Sequence, residues 1–296
     1  MGQSGNMKIP TFSIIALIML LLVPLSCCID EGPDVRELEY VNDEGDYFIY
    51  ELYSNEVSDE FKIYVRVPES FDPNNKYPIV YLLDADWFFD DSYRIDNNGV
   101  RGMVYNLENG GIMPPTVLVG IGYAESNERA RDFGQYPENF YYFLKYEISD
   151  FLEDEIGLDL DSEKTLIGYS SAGLFSFYAL FRGDLYFDNY VMVSSPIYSP
   201  LYGVEKALLS DELSFYNRFR DTFLDIKIFM AVGGDEEERF TSSHEDMVSR
   251  INAKEYKGLS LEDRIYYGKN HTSIVFDAFI DALAWLFSDI DDIIIY

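Results

Sequence analysis

Five short runs of almost unbroken apolar residues punctuate the chain: Ile79-Val80-Tyr81-Leu82-Leu83, Thr116-Val117-Leu118-Val119, Thr165-Leu166-Ile167, Tyr190-Val191-Met192-Val193 and Ile226 to Val232. A strand with one wet face alternates apolar and polar residues, whereas a strand covered on both faces reads as a continuous apolar run, the mark of a parallel sheet. Parallel neighbours need crossover connections, and helical spacing accompanies the runs at Phe140, Leu144, Ile148, Phe151, Leu152 and Ile156, and again from Ile274 to Leu286. Upstream the period changes to two: Phe61, Ile63, Val65 and Val67 alternate with Lys62, Tyr64 and Arg66, and Tyr47 to Tyr53 could pair with them as an antiparallel hairpin. The pattern predicts one α/β domain over residues 46–290, a mostly parallel central sheet with helices on both faces. In such sheets functional groups gather at the carboxyl ends of the strands.

Charge removes several functions. The 296 residues carry 22 Lys+Arg against 53 Asp+Glu, a formal net charge of -31. Such a surface repels a phosphate backbone, so no nucleic-acid partner is expected. The chain has two cysteines, adjacent at Cys27 and Cys28, and two histidines, His244 and His271, with no H-E-x-x-H pair. It has neither a G-x-x-x-x-G-K-[ST] nor a G-x-G-x-x-G phosphate cradle. No metal and no cofactor are expected from these residue types.

The N-terminus reads as a targeting segment. An apolar run from Ile14 to Val23 follows Lys8 and ends at Pro24-Leu25-Ser26-Cys27-Cys28. The run is too short to cross a bilayer, which takes about 20 residues, and fits the apolar region of a signal peptide. Leu25-Ser26-Cys27-Cys28 resembles a bacterial lipobox, with Cys27 favoured over Cys28 as the lipidated residue, and the acidic Asp30-Glu31 beyond it resembles surface-export signals. On this reading residues 1–27 are a lipoprotein signal peptide and residues 28–45 an acidic tether. The expected location is the cell envelope, anchored to the outer membrane by lipid alone.

A candidate reaction centre lies beyond the third run. Gly168-Tyr169-Ser170-Ser171-Ala172-Gly173 stands between that strand and the helix-forming Leu174 to Leu180. Strand, sharp turn and helix form the context of a nucleophile elbow, and small residues two before and two after the serine, Gly168 and Ala172, relieve collision in the turn. A serine hydroxyl needs a base near neutral pH. His271, after the strand ending at Tyr267 and before a helix, is favoured over His244, which sits on a polar helical stretch and reads as a solvated surface residue. The acid that orients the base is expected within Asp235-Glu236-Glu237-Glu238, giving the chain order Ser, acid, His.

These segments together resemble the Putative esterase family of α/β-hydrolases, the esterase D-like group that includes siderophore and other small-ester hydrolases. The resemblance covers most of residues 46–288 and rests on Val67-Pro68, Tyr77 to Asp86, Gly120-Ile121-Gly122-Tyr123, Arg129 to Phe133, the Ser170 elbow, Val232 to Glu236 and Gly268 to Ser273. It implies the α/β-hydrolase fold with Ser170 as nucleophile and His271 as base. The family's acid falls on Glu236, with Asp235 and Glu237 open. The implied oxyanion donors are the backbone N–H groups of Ser171 and Asp86. Arg131 resembles a basic position facing the site; a surface ion pair is its alternative. The implied function is a serine esterase acting on a small-molecule ester, without a cofactor. Acyl transfer by the same residues, or a non-catalytic surface lipoprotein that binds a glycan or siderophore, are the alternatives. Selectivity should reside in Trp87 to Met113 and Ile197 to Leu224.

Overall fold

The computed structural model describes residues 35–41, 47–90, 99–198 and 204–288. The segment expected to be a signal peptide, with Cys27 and Cys28, lies outside the described residues. Nine strands form one sheet: β1 (Val35–Val41), β2 (Tyr47–Ser54), β3 (Asp59–Arg66), β4 (Ile79–Leu83), β5 (Val117–Tyr123), β6 (Lys164–Tyr169), β7 (Asn189–Val193), β8 (Ile226–Gly233) and β9 (Leu259–Tyr266). Their order is β1-β2-β3-β5-β4-β6-β7-β8-β9. From β5 to β9 neighbouring strands run parallel, and β1, β2 and β3 add an antiparallel flank. The five apolar runs are the central strands, and every residue of β4, β5 and β7 is buried, as covering on both faces requires. The order reverses at β4 and β5, so connections diverge to either face and leave a crevice at the strands' carboxyl ends.

Helices α1 (Ala85–Phe88), α2 (Gly99–Asn109), α3 (Pro137–Tyr142), α4 (Ile148–Phe151), α5 (Ser171–Arg182), α6 (Val204–Phe219), α7 (Glu238–Asn252) and α8 (Val275–Phe287) cover the two faces. One core joins α3 to α7 with the sheet around Phe61, Phe140, Phe143, Phe175 and Tyr190. The other joins α1, α2 and α8 around Phe89, Val104, Phe279 and Leu283. The predicted helical spacing from Phe140 to Ile156 is one ridge in which α3 and α4 alternate with wider π-type turns at Phe143–Glu147 and Leu152–Ile156. The acidic tether needs correction. Val35–Val41 pairs antiparallel with β2, with a register shift between Glu37 and Glu39 that leaves Leu38 unpaired in the ladder. The sheet therefore takes in Val35–Val41, before the expected boundary at residue 46.

Candidate active site

Ser170 sits between the end of β6 and the first residue of α5, with φ 56° and ψ -120°. That strained conformation lifts the side chain out of the turn, and two backbone bonds hold it: Ser170 N–H donates to Val193 O at 2.8 Å, and Leu174 N–H to Ser170 O at 3.0 Å. The turn brings the chain back so closely that a Cβ at Gly168 would lie 2.3 Å from the carbonyl oxygen of Ala172. Only glycine fits there.

Two other strand ends deliver partners to this serine. Beyond β9, His271 places Nε2 3.1 Å from Ser170 Oγ. Its Nδ1 lies 2.7 Å from Oε2 of Glu236, which follows β8. Of the three acids open in the sequence, Glu236 is the one brought to the imidazole. Its side chain is fully buried, while that of His271 is 36% exposed, so the imidazole is accessible from outside but water cannot solvate the carboxylate. With Nδ1–H donated to the carboxylate, Nε2 is free to accept the Oγ proton.

A further shell fixes this array. Glu236 Oε1 accepts from Ser194 Oγ–H at 2.6 Å and from Gly233 N–H at 2.8 Å. Burial pushes the Glu236 carboxyl up, but the hydrogen bonds from His271, Ser194 and Gly233 outweigh it and hold the group below the usual glutamate range. The imidazole lies between two rings, Tyr169 at 5.0 Å and Phe240 at 4.9 Å between centroids. Tyr169 also donates its hydroxyl to the carbonyl of His271 at 2.8 Å, and burial next to Glu236 raises its phenol to about 12. Ser194, Tyr169 and Phe240 escape sequence reasoning because each lies on a different element. The one local signal is that Tyr169 and Ser194 directly follow or end apolar runs.

The two expected amide donors both stand at helix N-termini. Ser171 opens α5 and Asp86 is the second residue of α1, positions whose N–H groups have no intrahelical acceptor. The Asp86 carboxylate is turned to β3 and β5, accepting from Tyr64 O–H at 2.8 Å and Tyr123 N–H at 2.7 Å, and Gly122 leaves the space it occupies. That anchoring fixes the backbone around the Asp86 amide.

Two sequence expectations are corrected. Arg131 does not face the serine: it pairs with Asp132 at 2.7 Å and with Asp59 at 2.7 Å, the ion-pair alternative. The arginine beside the elbow is Arg129, whose Nη2 lies 3.5 Å from the carbonyl of Tyr169. Its guanidinium grips buried Asp84 at 2.7 and 3.0 Å and lies 5.0 Å from the ring centroid of Trp87. Adjacent arginines in one segment cannot be sorted by sequence, since the π-type turn at Arg131–Gln135 decides which side chain faces inward. His244 is not solvated. It is buried on α7 with Nε2 2.5 Å from Asp263 Oδ1 on β9, because that helix packs its Met247, Val248 and Ile251 face on the sheet.

Comparison with known proteins gives the family and the fold. The family model described as Putative esterase matches residues 54–286. The chain is 25% identical over 242 residues to "Ferri-bacillibactin esterase BesA" of Bacillus subtilis (strain 168), covering 73% of this chain and 80% of that protein. Among solved structures, the BES protein from Bacillus cereus superposes with a TM-score of 0.71 at 22% identity, over 85% of this chain and 98% of that one. Siderophore hydrolase EstB from Aspergillus nidulans does so with a TM-score of 0.63 at 16% identity, over 86% and 99%. These two share the fold. With most of the domain matched by the family model and strand, elbow and helix in the order that the fold prescribes, the chain belongs to this esterase family and is a carboxylic-ester hydrolase on the α/β-hydrolase fold.

Proposed function

We propose that this protein is an exported serine esterase that works through an acyl-enzyme on Ser170. The observation that carries the reading is the unbroken chain of contacts from Ser170 Oγ to His271 at 3.1 Å and from His271 to Glu236 at 2.7 Å. Ser170 Oγ attacks the ester carbonyl while its proton passes to His271 Nε2. The negative charge on the carbonyl oxygen is met by the amides of Ser171 and Asp86, each such donor lowering the barrier by roughly 3 to 4 kcal/mol. Collapse expels the alcohol, which takes the proton from His271, and leaves an ester on Ser170. Water then attacks that ester, gives its proton to His271 and releases the carboxylic acid as Oγ recovers the proton. Glu236 stays ionised throughout and stabilises the imidazolium. An alcohol in place of water would make the same cycle an acyl transfer.

The substrate is a small-molecule ester. A siderophore is one candidate, on the strength of the B. subtilis relative's name. A fluorophosphonate probe should label the purified domain, and Ser170→Ala should abolish labelling without unfolding it; labelling that persists in the variant would remove Ser170 from its role. The N-terminal reading adds a lipid anchor at Cys27. In a Gram-negative host the precursor should incorporate labelled palmitate, and replacing both Cys27 and Cys28 by alanine should release the protein to the aqueous phase. Aqueous partition of the unaltered protein would mean simple signal-peptide cleavage.

A further inference from the structure

A cavity of about 350 Å³ opens one helical turn from the nucleophile. It runs along the α5 face that carries Leu174, Tyr178 and Arg182, residues spaced four apart. Leu174 is the residue whose N–H donates to Ser170 O, so the near end of the cavity is tied to the elbow. Phe133 and Tyr136, from the segment after β5, and Leu208 of α6 supply the other walls. A second hollow of about 150 Å³ shares Glu138, Tyr178 and Arg182 with the first, which extends the space toward Tyr142 and Tyr146. The volume falls at the small end of the range for ligand pockets, and the tyrosines offer flat apolar faces with polar edges.

The position of this cavity decides which half of an ester could enter it. The alcohol oxygen must leave beside His271 Nε2, which protonates it. His271 and Glu236 come from the loops after β9 and β8, while the cavity is walled by the segment after β5, on the opposite side of β6, together with α5 and α6. None of its lining residues belongs to the Glu236 or His271 loops. The group that can enter is therefore the one that stays on Ser170. Charge narrows it further. Among the lining residues the cation Arg182 is held by Asp211 at 2.8 Å, and Glu138 adds a second carboxylate. Arg129 and Arg131 are likewise tied to Asp84, Asp132 and Asp59. An acyl group carrying its own carboxylate would meet two negative charges and no spare positive one.

Resting on the esterase reading above, we propose that this cavity is the acyl-binding site and that it selects a bulky, uncharged aryl or alkyl acyl group. The test uses p-nitrophenyl esters, so the leaving group is constant, and compares acetate with 3-phenylpropanoate, whose reacting carbonyls have similar intrinsic reactivity. The value of kcat/KM should be at least tenfold higher for 3-phenylpropanoate. It should also be at least tenfold higher for the hexanoate than for the adipate half ester, which has the same chain length but ends in a carboxylate. Ala207 lines the cavity from an exposed position on α6, so Ala207→Trp should fill the cavity without disturbing the core. That variant should lower the phenylpropanoate-to-acetate ratio at least fivefold, whereas Ile280→Trp at an exposed position on α8 should leave it alone. A smaller change in Ala207→Trp, an equal change in Ile280→Trp, or an adipate half ester turned over as fast as the hexanoate would overturn the acyl-site assignment while Ser170-dependent hydrolysis of acetate still upheld the esterase. No Ser170-dependent hydrolysis of any of the four esters would instead bring down the esterase reading itself, and the acyl site with it.

Discussion

Ser194 and His271 each hold one oxygen of Glu236, at 2.6 and 2.7 Å, so the buried acid is fixed from two sides. Removing the acid should lower turnover by roughly two to four orders of magnitude with KM little changed, less than loss of Ser170 or His271, because an acid that only orients and stabilises the base is the mildest member of such a unit. Glu236→Gln should show this in steady-state kinetics, while Asp235→Asn and Glu237→Gln should do much less; a reversed ranking would move the role to a neighbour. Ser194 touches the site only through its hydrogen bond to Glu236, so its effect should pass through that carboxylate. Ser194→Ala leaves Oε1 with the Gly233 N–H alone, and kcat should fall about tenfold at constant KM, with Ser194→Thr recovering part of it. His244 gives the opposite profile. Its pair with Asp263 is structural, so His244→Ala should cost about 1 to 3 kcal/mol in denaturant unfolding while turnover stays within about tenfold. A large kinetic loss without destabilisation would return His244 to the candidate bases.

At the scale of elements, the strand–turn–helix from β6 through α5 is the part most narrowly determined by local sterics. A methyl group at Gly168 would strike backbone atoms of Ala172 and Gly173 at 2.3 to 2.7 Å, none of which is the end of a flexible side chain. The turn would have to open. Gly168→Ala should therefore cost about 1 to 3 kcal/mol of stability, the usual penalty of overpacking, and should displace Ser170 enough to lower kcat/KM about a hundredfold or more. Chemical denaturation and probe labelling measured together would check it, and a variant with unchanged labelling and stability would show that the elbow tolerates relaxation. The β4–α1 turn is built differently: Asp84 adopts a left-handed conformation at φ 57° and is locked by Arg129. That lock couples two segments 45 residues apart in the chain.

For the whole molecule, Asp84 ties stability to pH. Burial raises its carboxyl from 3.8 to about 6 against the pull of Arg129. A folded-state value above the unfolded one means that the protonated form stabilises the fold, fully below about pH 3.8, and that this contribution is lost as pH rises through about 6. The unfolding free energy of the wild type relative to Asp84→Asn should therefore fall between those limits, by about 3 kcal/mol at most. A difference that stays flat with pH would mean that Asp84 remains ionised beside Arg129 throughout. The formal charge of -31 bears on the same scale. It leaves few unpaired cations near the cavity beside α5, which is why that cavity suits an uncharged acyl group.

What the sequence by itself determined was whatever depends on neighbours in the chain. Continuous apolar runs from Ile79 to Val232 mark strands covered on both faces, and the small residues around Ser170 mark a turn too tight for side chains, because burial and steric exclusion act within a few residues. The order Ser170, Glu236, His271 is visible for the same reason, each residue lying just beyond its own strand. Only the tertiary structure decided among residues with equal local claims. Glu236 over Asp235 and Glu237, Arg129 over Arg131 beside the elbow, the buried pairing of His244 and the support from Ser194 all depend on where a side chain points after β5, β7, β8 and β9 are laid side by side. Val35–Val41 became a strand for a related reason: a register shift between Glu37 and Glu39 interrupts its alternation, and pairing with β2 supplies the backbone hydrogen bonds that seven residues of chain cannot make alone.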